Sequence, residues 1–261
     1  MYKRQGFAAS KGLERVGGCL TLDGAAFEYT MANFEPYEDR PELRGVLYHN
    51  DQNVYDFVSE AHRRDMQCTM HAVGERAIDQ LLYTYHRVFA EQGRKKLRHR
   101  IEHFCLPTDT QIQMAKELDL ILSMQPGFSY LWDGENRELE AILGRKRADR
   151  IDPFKKIIER GILVVSGSDN PVTDIDPLLY IASCTDGYNP VRNIPLKEAI
   201  KMCTINAAYS IGKEKEKGTL EIGKDADFAV ISQNPYGTGN LYTMKALGTV
   251  KACLLYTSRC V

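Results

Sequence analysis

Short apolar segments alternate with amphipathic helical segments through most of the chain, and this alternation constrains the fold more than any other feature. Glu75–Gln92 carries apolar residues at the spacing of one helical face. Met66–His71 precedes this helix and Leu97–Phe104 follows it, and both are predicted strands. Gly161–Ser168 is strongly apolar, as expected for a strand covered on both faces. Strands that are separated by helices pair in parallel, so the sequence predicts an α/β fold.

The pattern changes in the last fifth of the chain. Three short segments with strand character follow one another there without a helix between them: Gly218–Ile222, Asp227–Ser232 and Ala246–Ala252. Turn residues join them. The sequence therefore predicts an α/β part over residues 6–212 and a small β part over residues 213–252.

Both ends of the chain have the sequence of a translated sequencing adapter. Back-translation of Cys253–Ser258 gives a transposase mosaic end, and the reverse complement of the same DNA, read in another frame, encodes Met1–Gln5. The inverted DNA continues into Arg259–Val261 and a stop codon. Because one DNA string explains both ends, we expect residues 1–5 and 253–261 to be adapter scars outside the fold.

Charge and composition exclude two classes of function. The 34 Lys and Arg residues balance 35 Asp and Glu residues, which disfavours binding to a nucleic-acid backbone. No apolar run has the length of a membrane span. The cysteines are widely spaced and include no Cys-x-x-Cys pair, which favours a reducing compartment and a cytoplasmic location. The expected partner is a small-molecule substrate, and a homo-oligomer is compatible with the sequence.

Three polar residues share one position, the carboxyl end of a predicted parallel strand. They are His71, His103 and Asp169. In α/β barrels the catalytic groups lie at that end of the strands. Two imidazoles and a carboxylate suit zinc, iron or manganese, and Asp169 could move a proton of metal-activated water. The alternative is structural, because a single histidine at a strand end is commonly hydrogen-bonded and an aspartate there commonly caps the next element.

Other polar and aromatic residues carry weaker signals. Arg147, with Arg145 and Arg150, could line a site for an acidic substrate group, or could simply begin a solvated helix. Trp132, with two aromatic neighbours, could form an apolar wall or fit ordinary loop packing. The remaining histidines are assigned no role: His49, His62, His86 and His99.

Three motifs in order resemble the amidohydrolase superfamily. They are His71-Ala-Val-Gly-Glu-Arg-Ala-Ile78, Arg98-His-Arg-Ile-Glu-His103 and Gly167-Ser-Asp-Asn-Pro-Val172. More closely, the chain resembles the amidohydrolase 3 branch, which includes N-substituted formamide deformylases. Thr204–Ala208 and Gly218–Asp227 are similar to the closing helix of that branch and to its return into a β-sandwich domain.

The resemblance implies a metal-dependent hydrolase that acts on carbon–nitrogen bonds other than peptide bonds. It implies a (β/α)8 barrel of the TIM type, of which this chain would carry about strands four to eight, followed by part of a β-sandwich. His71 and His103 match the metal-binding histidines of the fifth and sixth strands. Asp169 matches the eighth-strand aspartate, which binds metal and passes the proton of the attacking water to the leaving nitrogen.

Two features depart from the family pattern. The His-x-His pair of the first strand is absent, which we attribute to the absence of strands one to three. Many relatives also carry a carboxylated lysine on the fourth strand, whereas residues 17–23 contain none. Cys19 could replace it as a thiolate ligand, or could be a small buried side chain. One or two divalent ions, most readily zinc, with iron or manganese as alternatives, therefore fit the resemblance.

Two other functions remain open at this point. One is a non-catalytic homologue that binds a metal or ligand, and the other is a lyase or isomerase on the same barrel. About five of eight strands would leave two unpaired edges, so we expect this chain to be inactive by itself.

Overall fold

The computed structural model describes residues 12–132, 137–187, 189, 192–237, 239–251 and 254–257. These residues form two units. The first contains the described chain up to Met124 together with residues 137–163. The second contains residues 125–132 and the described chain from Val164 onward. No helix within the described ranges is long and apolar enough to cross a membrane.

The first unit is built on a parallel sheet. Its strands are β1 (Arg15–Thr21), β2 (Gln67–Ala72), β3 (Arg100–His103) and β4 (Ile121–Met124). They pair in chain order and in parallel. The register sets His71 opposite Glu102 and Ala72 opposite His103. The predicted α/β fold with a parallel sheet is therefore confirmed, although β3 is shorter than the predicted Leu97–Phe104.

Helices connect the strands and continue into the second unit. In chain order they are α1 (Asp51–Arg63), α2 (Glu75–Gln92), α3 (Asp109–Glu117), α4 (Pro126–Trp132), α5 (Glu138–Leu143), α6 (Arg145–Ala148), α7 (Phe154–Glu159), α8 (Pro177–Thr185), α9 (Leu196–Cys203) and α10 (Ile205–Ser210). A short 3-10 helix covers Leu241–Thr243. The bounds of α2 are those that the apolar spacing predicts, because a long amphipathic stripe marks both of its ends.

Helix α2 covers the outer side of β2 and β3. Its apolar stripe is buried and includes Ile78, Leu81 and Tyr85. The Tyr85 hydroxyl lies 3.2 Å from the carbonyl oxygen of Cys68 and 3.1 Å from that of Arg100. Burying each large apolar side chain of this stripe contributes roughly 1.5–3 kcal/mol, so the packing holds the two strands in a fixed relation.

The second unit carries one further strand of the α/β pattern and a separate antiparallel sheet. The former is β5 (Val164–Ser166). The latter contains β6 (Phe228–Ile231), β7 (Ala246–Lys251) and β8 (Leu254–Thr257), paired in that order. Strand β8 lies within the segment that the sequence predicts to be an adapter scar. The unit boundary does not coincide with residue 212, where the sequence predicts a domain boundary.

One predicted strand is wrong. Gly218–Ile222 is not a strand in the structure. Its apolar residues Leu220 and Ile222 are exposed. A strand is stable only when it pairs with a neighbour and buries one face, and this segment does neither.

Candidate metal centre

Two imidazoles lie side by side at the carboxyl ends of β2 and β3. His71 is the penultimate residue of β2 and His103 is the last residue of β3. Their ring centroids are 4.3 Å apart and the rings meet edge to face. Because the two strands are adjacent and parallel, their carboxyl ends meet at one edge of the sheet. The structure thus brings together two of the three residues that the sequence selects.

The backbone at His103 leaves the pleat of β3. Its φ is +74°, and Phe104 follows at +53°. Within a regular strand, alternation would direct the His103 side chain to the same face as Ile101, away from that of Glu102. A positive φ rotates the Cα–Cβ bond out of this alternation at a cost of about 1–3 kcal/mol. Backbone strain at a strand end that carries a candidate ligand is typical of functional sites.

A buried carboxylate, which the sequence analysis missed, lies beside His71. Asp23 follows β1, and its side chain is 0% exposed. Its Oδ1 lies 3.5 Å from Nε2 of His71. That nitrogen is buried and has no hydrogen-bond partner among the described residues. The signal in the sequence is the one that selected Asp169, a polar residue directly after a strand.

Asp23 also accepts three backbone hydrogen bonds. The N–H of Val73 donates to Oδ1 at 3.0 Å. The N–H groups of Ala32 and Gly74 donate to Oδ2 at 2.9 and 2.8 Å. The carboxylate therefore joins the loop after β1 to the loop after β2, directly behind His71.

A polar group lies along the strands next to the histidine pair. The Thr69 hydroxyl donates to Oε1 of Glu102. The Arg100 guanidinium donates to the same oxygen through Nε at 2.9 Å and Nη2 at 2.6 Å. Since Glu102 lies opposite His71 in the register, this ion pair places a compensated negative charge beside the imidazoles.

Asp169 belongs to the second unit, where it follows β5. It is exposed, and its φ is +54°, the second strained backbone among the predicted site residues. The N–H of Val172 donates to the Asp169 carbonyl at 2.8 Å. The Thr173 hydroxyl closes the same loop by donating to the Ser168 carbonyl at 2.6 Å. The loop is thus held by its own hydrogen bonds, and the Asp169 side chain is open to solvent.

Three candidate residues remain: Cys19, Trp132 and Arg147. Only for Arg147 does the structure describe the side chain. Cys19 lies in β1 and Trp132 ends α4, but their side chains lie outside the described residues. Arg147 donates through Nε to the Leu143 carbonyl at 2.6 Å and through Nη1 to the Glu35 carbonyl at 3.1 Å. These contacts tie α6 to the end of α5 and to the loop after β1.

A second pair of histidines is buried at the other end of the same strands. Nδ1 of His62 and Nε2 of His99 are 2.9 Å apart. Nε2 of His62 lies 3.0 Å from the Gly93 carbonyl, and the Cys68 N–H donates to Nδ1 of His99 at 2.9 Å. Burial lowers the pKa of both, that of His99 to about 3 with a further contribution from the neighbouring His62. Both rings are therefore neutral at neutral pH.

A cavity of about 470 Å³ lies elsewhere, along α1 and α2. Its lining includes Tyr55, Tyr83 and Arg87. The Arg87 guanidinium lies 3.8 Å from the Tyr55 ring centroid and donates to Glu91 at 2.8 Å, so its charge is already engaged. None of the residues selected from the sequence lines this cavity.

The histidine pair fits two positions of a divalent metal. Neutral imidazoles are ligands for zinc, iron and manganese. Within the part of the chain that the structure describes, no group of three or more His, Cys, Asp or Glu side chains is arranged to hold an ion. The first unit thus offers two imidazoles as candidate ligands, and a third ligand is not arranged beside them within the described residues.

Comparison with known proteins identifies the family. The model of the amidohydrolase family matches residues 5–251. The putative amidohydrolase YtcJ of Bacillus subtilis is 31% identical over 230 residues, which cover 83% of this chain and 42% of that protein. The N-substituted formamide deformylase of Arthrobacter pascens is 26% identical over 221 residues, which cover 78% of this chain and 39% of that enzyme. The chain thus spans about two fifths of the length of these curated relatives.

A solved structure shows the same fold. An uncharacterized metal-dependent hydrolase from Pyrococcus furiosus superposes with a TM-score of 0.72 at 24% identity, over 85% of this chain and 47% of that chain. At this identity the likeness concerns the fold alone, whereas the family follows from the match along nearly the whole chain. This chain belongs to the amidohydrolase family, in its amidohydrolase 3 branch.

Proposed function

We propose that this chain is part of a metal-dependent hydrolase that cleaves carbon–nitrogen bonds other than peptide bonds, such as those of N-formyl or N-acyl amides. The observation that carries the proposal is the His71–His103 pair, whose rings lie 4.3 Å apart at the carboxyl ends of adjacent parallel strands. The name of the relative from Arthrobacter pascens, an N-substituted formamide deformylase, supports the substrate class.

In this proposal His71 and His103 hold a divalent ion, with Asp169 as a further ligand and Cys19 as a candidate ligand from β1. Zinc suits this donor set best, iron and manganese are alternatives, and one or two ions are compatible with it. When bound, the ion lowers the pKa of water and polarises the substrate carbonyl. Asp169 takes the proton of the attacking water on a carboxylate oxygen. It then donates that proton to the leaving nitrogen as the carbon–nitrogen bond breaks.

The substrate contacts and the architecture belong to the same proposal. Arg147 would contact an acidic group of the substrate and Trp132 an apolar one. The five parallel strands would be about strands four to eight of a (β/α)8 barrel, and the antiparallel sheet would be part of a β-sandwich. The coverage of about two fifths of each curated relative supports this arrangement. In the same proposal the chain by itself is inactive, because five of eight strands would leave two unpaired edges.

The test uses a complete gene product that contains this segment, purified and analysed for bound metal. N-formyl and N-acyl amines are assayed in ¹⁸O-labelled water, with His71→Ala as the inactive variant and exposed His86→Ala as its control. Hydrolysis predicts one or two bound ions per chain, whose binding depends on His71, and solvent oxygen in the product. Stoichiometric metal without turnover on a broad panel would indicate a non-catalytic homologue. Turnover without solvent oxygen would indicate a lyase or isomerase.

A further inference from the structure

Asp23 lies behind His71, and its buried position indicates that it orients this side chain. We infer that Asp23 is a positioning residue, which holds the imidazole proton of His71 on Nε2 and leaves Nδ1 for the metal. The inference rests on the proposed metal centre. It starts from the 3.5 Å between Oδ1 of Asp23 and Nε2 of His71.

Asp23 is not itself suited to be a ligand. An ionised carboxylate offers about four acceptor positions. Three of them already accept the N–H groups of Ala32, Val73 and Gly74. The fourth faces the imidazole of His71. A metal ion would have to displace a backbone hydrogen bond in a place where the carboxylate is fully buried, which would leave a buried N–H without an acceptor.

The two nitrogens of His71 differ in their surroundings. Nε2 is buried, lacks a hydrogen-bond partner within the described chain and faces the Asp23 carboxylate. An N–H at this position gains a charged acceptor, whereas a bare lone pair would face a negative charge. The proton therefore belongs on Nε2. Metal-binding histidines commonly donate their second ring N–H to a carboxylate in this way.

The 3.5 Å contact is longer than an ordinary N–H···O hydrogen bond by about half an ångström. The His71 side chain is 15% exposed and can rotate, whereas three backbone hydrogen bonds fix Asp23. A small rotation of the ring closes the contact. The same carboxylate fixes Val73 and Gly74, which follow β2 directly, so ring and backbone are oriented together.

The test is Asp23→Asn, observed first in the metal-free chain. An asparagine directs its carbonyl oxygen to the two donors at the Oδ2 position and its amide NH₂ toward His71, and the Val73 N–H then loses its acceptor at the Oδ1 position. The NH₂ group donates to Nε2, which moves the ring proton to Nδ1. We expect the ¹⁵N imidazole spectrum to show the Nε2–H tautomer in the parent chain and the Nδ1–H tautomer in the variant. Affinity for Zn²⁺ should fall about 10–100-fold, because the ligand nitrogen is then protonated.

Glu75→Gln is the matched control. Glu75 is also a buried carboxylate close to the end of β2, as the first residue of α2, and its Oε2 accepts the Phe34 N–H at 3.2 Å, but its other partner is Arg150. This variant should lose stability while the His71 tautomer and the Zn²⁺ affinity stay unchanged. If both variants lower the affinity equally and neither changes the tautomer, Asp23 only supports the loop and the inference is wrong.

The outcomes separate the inference from the proposed function. If His71→Ala leaves Zn²⁺ affinity unchanged, the proposed metal centre fails. If His71→Ala abolishes binding while Asp23→Asn binds like the parent chain, only the role of Asp23 fails. Should Asp23→Asn not fold, the parent spectrum decides alone, because an Nδ1–H tautomer of His71 would overturn the inference.

Discussion

Two histidine pairs lie at opposite ends of the same two strands, and their surroundings differ. In the His62–His99 pair every ring nitrogen has a partner, through the contact between the rings, the Gly93 carbonyl and the Cys68 N–H. In the His71–His103 pair, by contrast, Nε2 of His71 is buried without a hydrogen bond in the described chain and faces Asp23.

The difference follows the polarity of the parallel sheet. His99 and Cys68 lie at the amino ends of β3 and β2, whereas His71 and His103 lie at the carboxyl ends. In (β/α)8 barrels, conserved residues at the amino ends of the strands serve stability and those at the carboxyl ends serve chemistry. The closed chain of hydrogen bonds around His62 and His99 stabilises the fold. The His71–His103 pair, in which Nε2 of His71 makes no hydrogen bond to the described residues, keeps ring nitrogens that can bind a ligand.

Among the substitutions, the largest effect should come from truncating the His62–His99 pair. His99→Ala leaves the Cys68 N–H and a nitrogen of His62 unpaired around a new cavity, and should lower the free energy of unfolding by about 3 kcal/mol. His71→Ala should cost only about 1 kcal/mol, because its side chain is partly exposed and its Nε2 makes no hydrogen bond to the described residues. Urea unfolding of both variants tests this.

Metal binding should also distinguish the two histidine pairs. Zn²⁺ titration should show parent-like affinity for any His99→Ala chain that remains folded, and loss of binding for His71→Ala. Equal stability losses together with equal binding losses would mean that the two pairs do not differ in role.

Gly74→Ala should disturb the His71–His103 pair by moving the backbone of the loop after β2. A Cβ at Gly74 would lie 2.3 Å from the Ala32 carbonyl oxygen, so the loop after β2 must shift. We expect a stability loss of about 1–3 kcal/mol and a weaker Zn²⁺ affinity. Gly127→Ala in α4 is the control, since its Cβ would make only ordinary contacts at 3.8 Å. An unchanged affinity in Gly74→Ala would show that the loop does not orient His71.

Acid should destabilise the folded chain through the His62–His99 pair. The pKa of His99 is about 3 in the folded chain and about 6.5 when unfolded, so the unfolded state binds more protons between these values. The contribution of His99 to the free energy of unfolding is therefore complete above pH 6.5. As the pH is lowered below this value, the free energy of unfolding decreases by about 1.4 kcal/mol per pH unit for this one proton. The lowered pKa of His62 acts in the same direction.

The measurement is urea unfolding from pH 7 to pH 4, with His86→Asn as control because His86 is exposed. The control should retain the slope. A parent chain whose stability does not change over this range would contradict the neutral, buried state of the pair.

The smallest effect concerns a residue outside both pairs. Thr108 caps α3 by accepting the Gln111 N–H at 3.2 Å, and the Gln111 side chain accepts the Thr108 N–H at 2.9 Å. Thr108→Ala should cost about 1 kcal/mol. Exposed Thr110→Ala, within the helix, should be neutral or slightly stabilising. Zn²⁺ affinity should stay unchanged in both, and a loss would mean that α3 positions His103.

Prediction from the sequence succeeded where the pattern was local and long. The stripe of α2 gave both of its ends, and the parallel sheet followed from strands separated by helices. It failed for Gly218–Ile222, where strand-like residues find no pairing partner. It also missed Asp23, because the importance of that carboxylate comes from backbone groups 9, 50 and 51 residues away.

For the histidines too, the sequence predicts some properties and the tertiary structure decides others. By itself, the sequence determined the α/β class, the family, and the positions of His71 and His103 at strand ends, since these depend on periodicity and motif order. Only the tertiary structure decided which histidines differ in role, because identical side chains are distinguished by burial and by partners distant in sequence. It turned the His103 backbone out of its strand, closed the His62–His99 pair, and set Asp23 behind His71.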